Sequence, residues 1–189
     1  MNDLSPIEER ELVRLCLAED PDAVQSFVRR FQNLVFGVCV RILGHRHDAE
    51  DVTQEVFLRA FRSLAGFDST RAIQPWLLTI AVNRCRTHLG LRKTRPCSID
   101  YSDETMDTRP PDHDSDLAEE LQRAIETLRE DYRVCFVLFH DQQLSLPEIS
   151  AIIGSPVGTI KTWLHRARKQ LAVYLLERGV APVYSHELH

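Results

Sequence analysis

Apolar residues in this chain recur every three or four positions, in stretches separated by short polar breaks. Val24, Phe27, Phe31, Leu34, Val38 and Ile42 hold one face apolar, which is the period of an amphipathic helix. Asp20-Pro21 precedes that stretch and Gly44 follows it, a cap and proline at the start and a helix-leaving residue at the end. Ser5-Pro6-Ile7-Glu8 has the form of a capping box for an earlier helix. A third helix is predicted from Asp48, read as its cap with Asp51 at N3, through Val52, Val56, Phe57, Ala60, Phe61 and Leu64 to Gly66. A fourth starts near Pro75, buries Trp76, Leu77, Ile80 and Ala81, and runs into a basic stretch, where cations suit a helix C-terminus.

The pattern then stops. Residues 96–115 are acidic, contain prolines and lack a period, so they read as a flexible, self-repelling linker. Beyond them Leu117, Leu121, Ile125 and Leu128 mark one helix, and Val134, Val137 and Leu138 the next. Strand-like alternation is absent. The expected fold is all-α: two small helical domains, residues 1–95 and 116–177, joined by the acidic linker and followed by a frayed tail, 178–189.

Residues 144–171 carry the sharpest local signal. Ser145-Leu146-Pro147-Glu148 is a second capping box, and Ile149, Ile152 and Ile153 give a short helix its inner face. Gly154 supplies the turn. Val157, Ile160, Leu164, Ala167 and Leu171 then form an inward stripe, with Thr159, Lys161, Thr162, His165, Arg166, Arg168 and Lys169 opposite. A short helix, a tight turn and a second helix with a basic face make a helix-turn-helix, the shape that enters a DNA major groove. The same residues fit a solvated basic helix in an ordinary bundle.

Charge sharpens this picture. The net charge of −5 is wrong for a nucleic-acid binder until it is located: residues 100–120 hold nine carboxylates and one Arg, leaving +3 for the rest. Basic residues gather at Arg84, Arg86, Arg92, Lys93 and Arg95, and again at Lys161, Arg166, Arg168 and Lys169. Neither a membrane-length apolar run nor a signal-peptide core is visible, so cytosol is the expected location. The five cysteines form no CxxC; Cys16, Cys39 and Cys135 read as small buried hydrophobes. Cys85 and His88 share a helix face, but two ligands do not make a metal site. With no Gly-rich phosphate loop, nucleophile elbow or ligand cluster, neither an enzyme nor a cofactor is expected.

Two motif sets go further. Asp48-Ala49-Glu50-Asp51-Val52-Thr53-Gln54-Glu55-Val56-Phe57 and Trp76-Leu77-Leu78-Thr79-Ile80-Ala81-Val82-Asn83 lie in the first domain. Leu128-Arg129-Glu130-Asp131-Tyr132-Arg133, Pro156-Val157-Gly158-Thr159-Ile160-Lys161 and His165-Arg166-Ala167-Arg168 lie in the second. Together, over about residues 5–175, the chain resembles the extracytoplasmic-function sigma factors of bacterial RNA polymerase. The resemblance implies that Asp48, Glu50, Asp51, Gln54, Glu55 and Phe57 dock on core polymerase. Phe67, Asn83, Arg84, Arg86, Arg92 and Lys93 would take the melted minus-ten strand, with the loop from Phe67 to Gln74 helping to form a pocket. Gly158, Thr159, Lys161, Thr162, His165, Arg166 and Lys169 would read the minus-thirty-five duplex, the backbone near Gly158 and Thr159 approaching a phosphate. The linker would thread toward the RNA exit path, and an anti-sigma factor would be a partner. Thr87, Phe139 and Trp163 depart from the family pattern, where acidic, Arg and often Arg residues stand. Free protein is expected to bind duplex poorly, with acidic tract and compact packing masking both basic patches. A stand-alone helix-turn-helix regulator would explain residues 144–171 but not the Asn83 helix or the acidic one.

Overall fold

The computed structural model describes residues 6–94 and 113–179. The Ser5 cap, most of the linker with Cys97, and the tail beyond Gly179 lie outside the described residues. Among these residues every regular element is helical: α1 (Pro6–Leu17), α2 (Pro21–Leu43), α3 (Arg46–Ser63), a 3-10 turn (Leu64–Gly66), α4 (Ile73–Thr94), α5 (His113–Thr127), α6 (Glu130–His140), α7 (Leu146–Ile153) and α8 (Val157–Glu177).

Local chemistry sets several of these limits. Asp20 caps α2, its carboxylate accepting from the amides of Asp22 at 2.9 Å and Ala23 at 3.0 Å. Gly44 ends α2 at φ +73°, and Gly154 ends α7 at φ +74°, the left-handed conformation in which a Cβ is costly. The Ser145 box is complete: the Ser145 amide donates to Glu148 Oε2 at 2.8 Å and the Glu148 amide donates back to Ser145 Oγ at 3.4 Å, while the Ser145 hydroxyl also donates to Glu148 Oε2 at 2.6 Å. The two bonds to Oε2 hold the Glu148 carboxyl below the usual range.

Four boundaries differ from the sequence reading. Asp48 does not cap α3, which begins at Arg46 after His45; its carboxylate turns to α4 instead. α3 stops at Ser63, and the 3-10 turn completes the path to Gly66. α4 begins at Ile73, ahead of Pro75, and α5 includes residues 113–115.

α1 to α4 pack around Phe27, which is fully buried, with the Phe31 ring at 4.9 Å, Phe61 at 5.4 Å and Phe57 at 6.4 Å. α5 to α8 enclose Ile125, Leu138, Ile149 and Ile160. The two bundles touch along a seam where α2 meets α5 and α6, and α4 meets α7. Three arginines cross it. Arg133 donates to the Ile42 carbonyl at the end of α2 at 2.7 Å, satisfying an otherwise orphaned helix-end acceptor. Arg41 reaches Gln122 at 3.1 Å and Asp141 at 3.3 Å. Arg86 reaches Asp131 at 3.2 Å, Glu130 at 3.8 Å and the Ile153 carbonyl at 3.5 Å. Burial at this seam lowers the Arg133 pKa and raises that of Asp141, the latter partly offset by Arg41.

Candidate functional site

Two polar surfaces stand out on the first bundle. On α3, Asp51, Gln54, Glu55 and Leu58 are all exposed and spaced i, i+3, i+4, i+7, so they form one stripe. Leu58 is 58% exposed, an apolar residue at the end of the stripe, between Glu55 and Arg62. Glu50 flanks the stripe, paired with Arg46 at 3.0 Å and His47 at 3.6 Å. Gln32, Asn33 and Phe36 of α2 line a shallow groove with Glu50, Thr53 and Gln54.

The second surface runs along α4. Trp76, Ile80, Asn83 and Thr87 follow one another on one face, and the Phe67 ring lies 4.8 Å from Trp76 at its start. Trp76 is half-buried, with Leu77, Leu78, Ala81 and Val82 beneath it in the core. Asn83 is exposed. Its neighbours are engaged: Arg84 pairs with Glu55 at 2.9 Å, Arg92 with Asp48 at 3.1 Å, and Arg86 with the second bundle. His88 Nε2 also lies 3.2 Å from Asp48. The Thr87 hydroxyl donates to the Asn83 carbonyl at 2.9 Å.

The third surface is α8. Ile160, Leu164, Ala167 and Leu171 are buried, while Lys161, Thr162, His165, Arg166 and Lys169 are exposed on the other side. Arg166 donates to the Tyr132 hydroxyl at 3.1 Å, which steadies it without covering it. The Thr162 hydroxyl donates back to the Gly158 carbonyl at 3.0 Å. Arg168 is drawn aside, toward His140 at 3.3 Å and over the Phe139 ring at 5.2 Å. Burial and Arg168 keep the His140 pKa below the usual imidazole value.

Sequence comparison supplies the family. The sigma-70 region 2 profile matches residues 27–95, and the sigma-70 region 4 profile matches residues 118–171. The chain is 35% identical over 167 residues to the ECF RNA polymerase sigma factor SigW of Bacillus subtilis, covering 80% of this chain and 88% of that one. It is 32% identical over 178 residues to the ECF RNA polymerase sigma-E factor of Escherichia coli, covering 87% and 93%. This chain belongs to the ECF RNA polymerase sigma factors. The fold agrees: the structure of CnrH in complex with the cytosolic domain of CnrY superposes with a TM-score of 0.66 at 24% identity, covering 90% of this chain and 97% of CnrH.

On a sigma factor these surfaces sort the expected residues. Glu50, Asp51, Gln54 and Glu55 face outward on α3. Phe57 does not: at 7% exposure it is in the core against Phe27, so it shapes the helix from within and cannot itself meet a partner. Asp48 is directed at α4, joining the two helices. Asn83 is open, whereas Arg86 is held in the seam. The side chain of Lys93 lies outside the described residues. Thr159 is half-buried and its amide already donates to Pro156 at 2.8 Å, so that backbone donor is not free for a phosphate. At Gly158 an added Cβ would meet nothing within 4 Å, so packing does not demand glycine there. The packing leaves the basic face of α8 exposed, so compaction masks Arg86 rather than both patches. Leu58 and the groove residues of α2 escaped the sequence reading. Leu58 was legible in principle, as the fourth member of the acidic stripe; Gln32, Asn33 and Phe36 meet α3 only through the fold.

The described cysteines, Cys16, Cys39, Cys85 and Cys135, are all buried away from these surfaces. Cys39 and Cys85 are fully buried with sulfurs 3.7 Å apart, and burial pushes Cys135 up to about 12, so they act as packing residues.

Proposed function

We propose that the two bundles divide promoter recognition between them: residues 1–95 dock on core polymerase and take the melted minus-ten strand, and residues 116–177 read the minus-thirty-five duplex. The observation that carries this reading is the separation of an exposed acidic stripe and an exposed Asn83 face on one bundle from an exposed basic helix on the other. The stripe of Asp51, Gln54, Glu55 and Leu58 suits a basic partner with an apolar contact point. Asn83 offers both a donor and an acceptor to an unpaired base edge, and Trp76, two turns earlier on the same face of α4, with Phe67 packed on it, offers rings on which a base can stack. Arg84 and Arg92 supply backbone charge once released from Glu55 and Asp48. Lys161, Thr162, His165, Arg166 and Lys169 have the reach and charge for a major groove.

In this reading the seam must open, because Arg86 cannot hold DNA while it bonds Asp131, and because the two elements lie far apart on a promoter. The segment between the bundles, residues 96–112, is long enough to permit that separation. The chain brings no chemistry of its own and needs no cofactor; the polymerase supplies catalysis. It acts in the cytoplasm, and no described helix is long and apolar enough to cross a membrane. An anti-sigma factor is the expected inhibitor: CnrH is bound to CnrY in its structure, and the Bartonella quintana sigma factor RpoE, of similar fold at TM-score 0.63 and 19% identity, is bound to the anti-sigma factor NepR.

A map of transcription start sites after overexpression tests the division of labour. New starts should share two upstream elements, with Asn83→Ala losing dependence on the nearer and Lys161→Ala on the farther. Starts with no common upstream sequence would refute it.

A further inference from the structure

The loop between the 3-10 turn and α4 is held from outside as well as within. Inside it, Asp68 accepts from the Thr70 amide at 3.0 Å and hydroxyl at 2.6 Å, and the Arg71 amide donates to the Asp68 carbonyl at 2.9 Å. At one end Phe67 packs on Trp76. The outside hold comes from α1. Arg10 Nε donates to the Ser69 carbonyl at 3.0 Å. Glu9 stands between Arg30 of α2, at 3.7 Å, and the first amide of α4, that of Ile73, at 3.5 Å, where a carboxylate matches the helix dipole.

Loop and α1 together enclose a cleft of about 140 Å3. Val13 and Phe67 give it apolar walls; Glu9, Arg10 and Thr70 give it polar edges. That mixture suits a flat heterocycle, whose faces seek apolar contact and whose edges seek hydrogen bonds. α1 itself lies outside the residues matched by the region 2 profile, which begin at 27. The loop has no ladder of its own, so its shape depends on what grips it.

We propose that α1 is part of the minus-ten reader, with Arg10 a positioning residue that fixes the loop through the Ser69 carbonyl and Glu9 anchoring the start of α4, so that the cleft keeps the shape of a single unstacked base. This rests on the reading that the loop at residues 67–72 meets the melted strand. Arg10 is exposed, so its truncation removes a grip and no core packing.

The test uses full-length protein in holoenzyme on promoters carrying each of the four bases at every minus-ten position, with core affinity and minus-thirty-five dependence measured beside it. Arg10→Ala should reduce base discrimination at one position roughly five-fold, the lower end of what one mismatched base costs. Core affinity and minus-thirty-five dependence should stay unchanged, and Arg10→Lys should restore part of the discrimination. An Arg10→Ala profile identical to wild type, or a loss uniform over all promoters, would overturn the role of α1. Phe67→Ala and Thr70→Ala separate this from the underlying reading. If they change the profile and Arg10→Ala does not, only the grip is wrong; if they too leave it unchanged, the loop reads no base.

Discussion

Asn83 is exposed between buried Val82 and buried Cys85, so its side chain can be changed without disturbing the core of α4. Asn83→Ala is expected to cut initiation from promoters that depend on the minus-ten element by about 5- to 150-fold, the range for one lost base contact, while core affinity measured by fluorescence titration stays at the wild-type value. Gly44 is a contrasting case, a residue set by backbone geometry. Its φ of +73° already disfavours a side chain, and an added Cβ would lie 2.8 Å from Glu126 across the seam. The Glu126 carboxylate is the mobile end of a side chain and can yield; the backbone angle cannot. Gly44→Ala should therefore cost about 1–2 kcal/mol, lowering the thermal midpoint by roughly 2–8 °C in a calorimetric scan.

At the level of single helices, α8 presents charge that nothing described in the structure covers. Lys161→Ala should weaken minus-thirty-five binding by the holoenzyme and reduce the salt slope of affinity by about one. On α6, His140 contributes a pH dependence to stability. The His140 pKa is depressed by burial and by Arg168. The unfolded chain then takes up a proton at the usual imidazole value while the folded chain does not, so stability is full above that value and falls as pH drops through it. Thermal midpoints measured between about pH 7.5 and 5.5 should decline, and His140→Gln should flatten the decline.

The helices also show what a sequence can and cannot display. Asp20, Gly44, Ser145, Glu148 and Gly154 act on partners within a few residues, so the ends of α2 and α7 were legible. So were the buried stripes of α2, α3 and α8, because periodicity is local. The start of α3 was not: Asp48 is a good cap by local rules, but Arg92 and His88, some 40 residues away, hold its carboxylate. The start of α4 was missed for a related reason, since Ile73, 1% exposed, is packed and met by Glu9. The expected site residues rest on motif resemblance, and Phe57 was included because the motif was carried whole, although its period already placed that ring inside.

Across the whole molecule the seam links the bundles through Arg41, Arg86 and Arg133 on one side or the other. Its ion pairs are partly exposed, with side chains of Arg86 and Asp131 at 24% and 22% and of Arg41 and Asp141 at 31% and 28%. Each such pair contributes at most about 1 kcal/mol, so the closed arrangement is one that polymerase binding can reverse. Reversing charge on the second bundle, with Asp131→Arg and Asp141→Arg together, should open the seam and raise the radius of gyration measured by small-angle scattering; an unchanged radius would show that the ion pairs do not hold the bundles together.

The division of one promoter between two helical bundles is tested most directly by reconstitution. Purified chain is added to core RNA polymerase, and transcription is followed from a promoter found by start-site mapping. Initiation at that promoter should require the chain, fall with Asp51→Arg/Glu55→Arg through loss of core binding, and fall with Asn83→Ala or Lys161→Ala while core binding persists. Absence of any complex with core polymerase, or initiation indifferent to all four substitutions, would contradict the account.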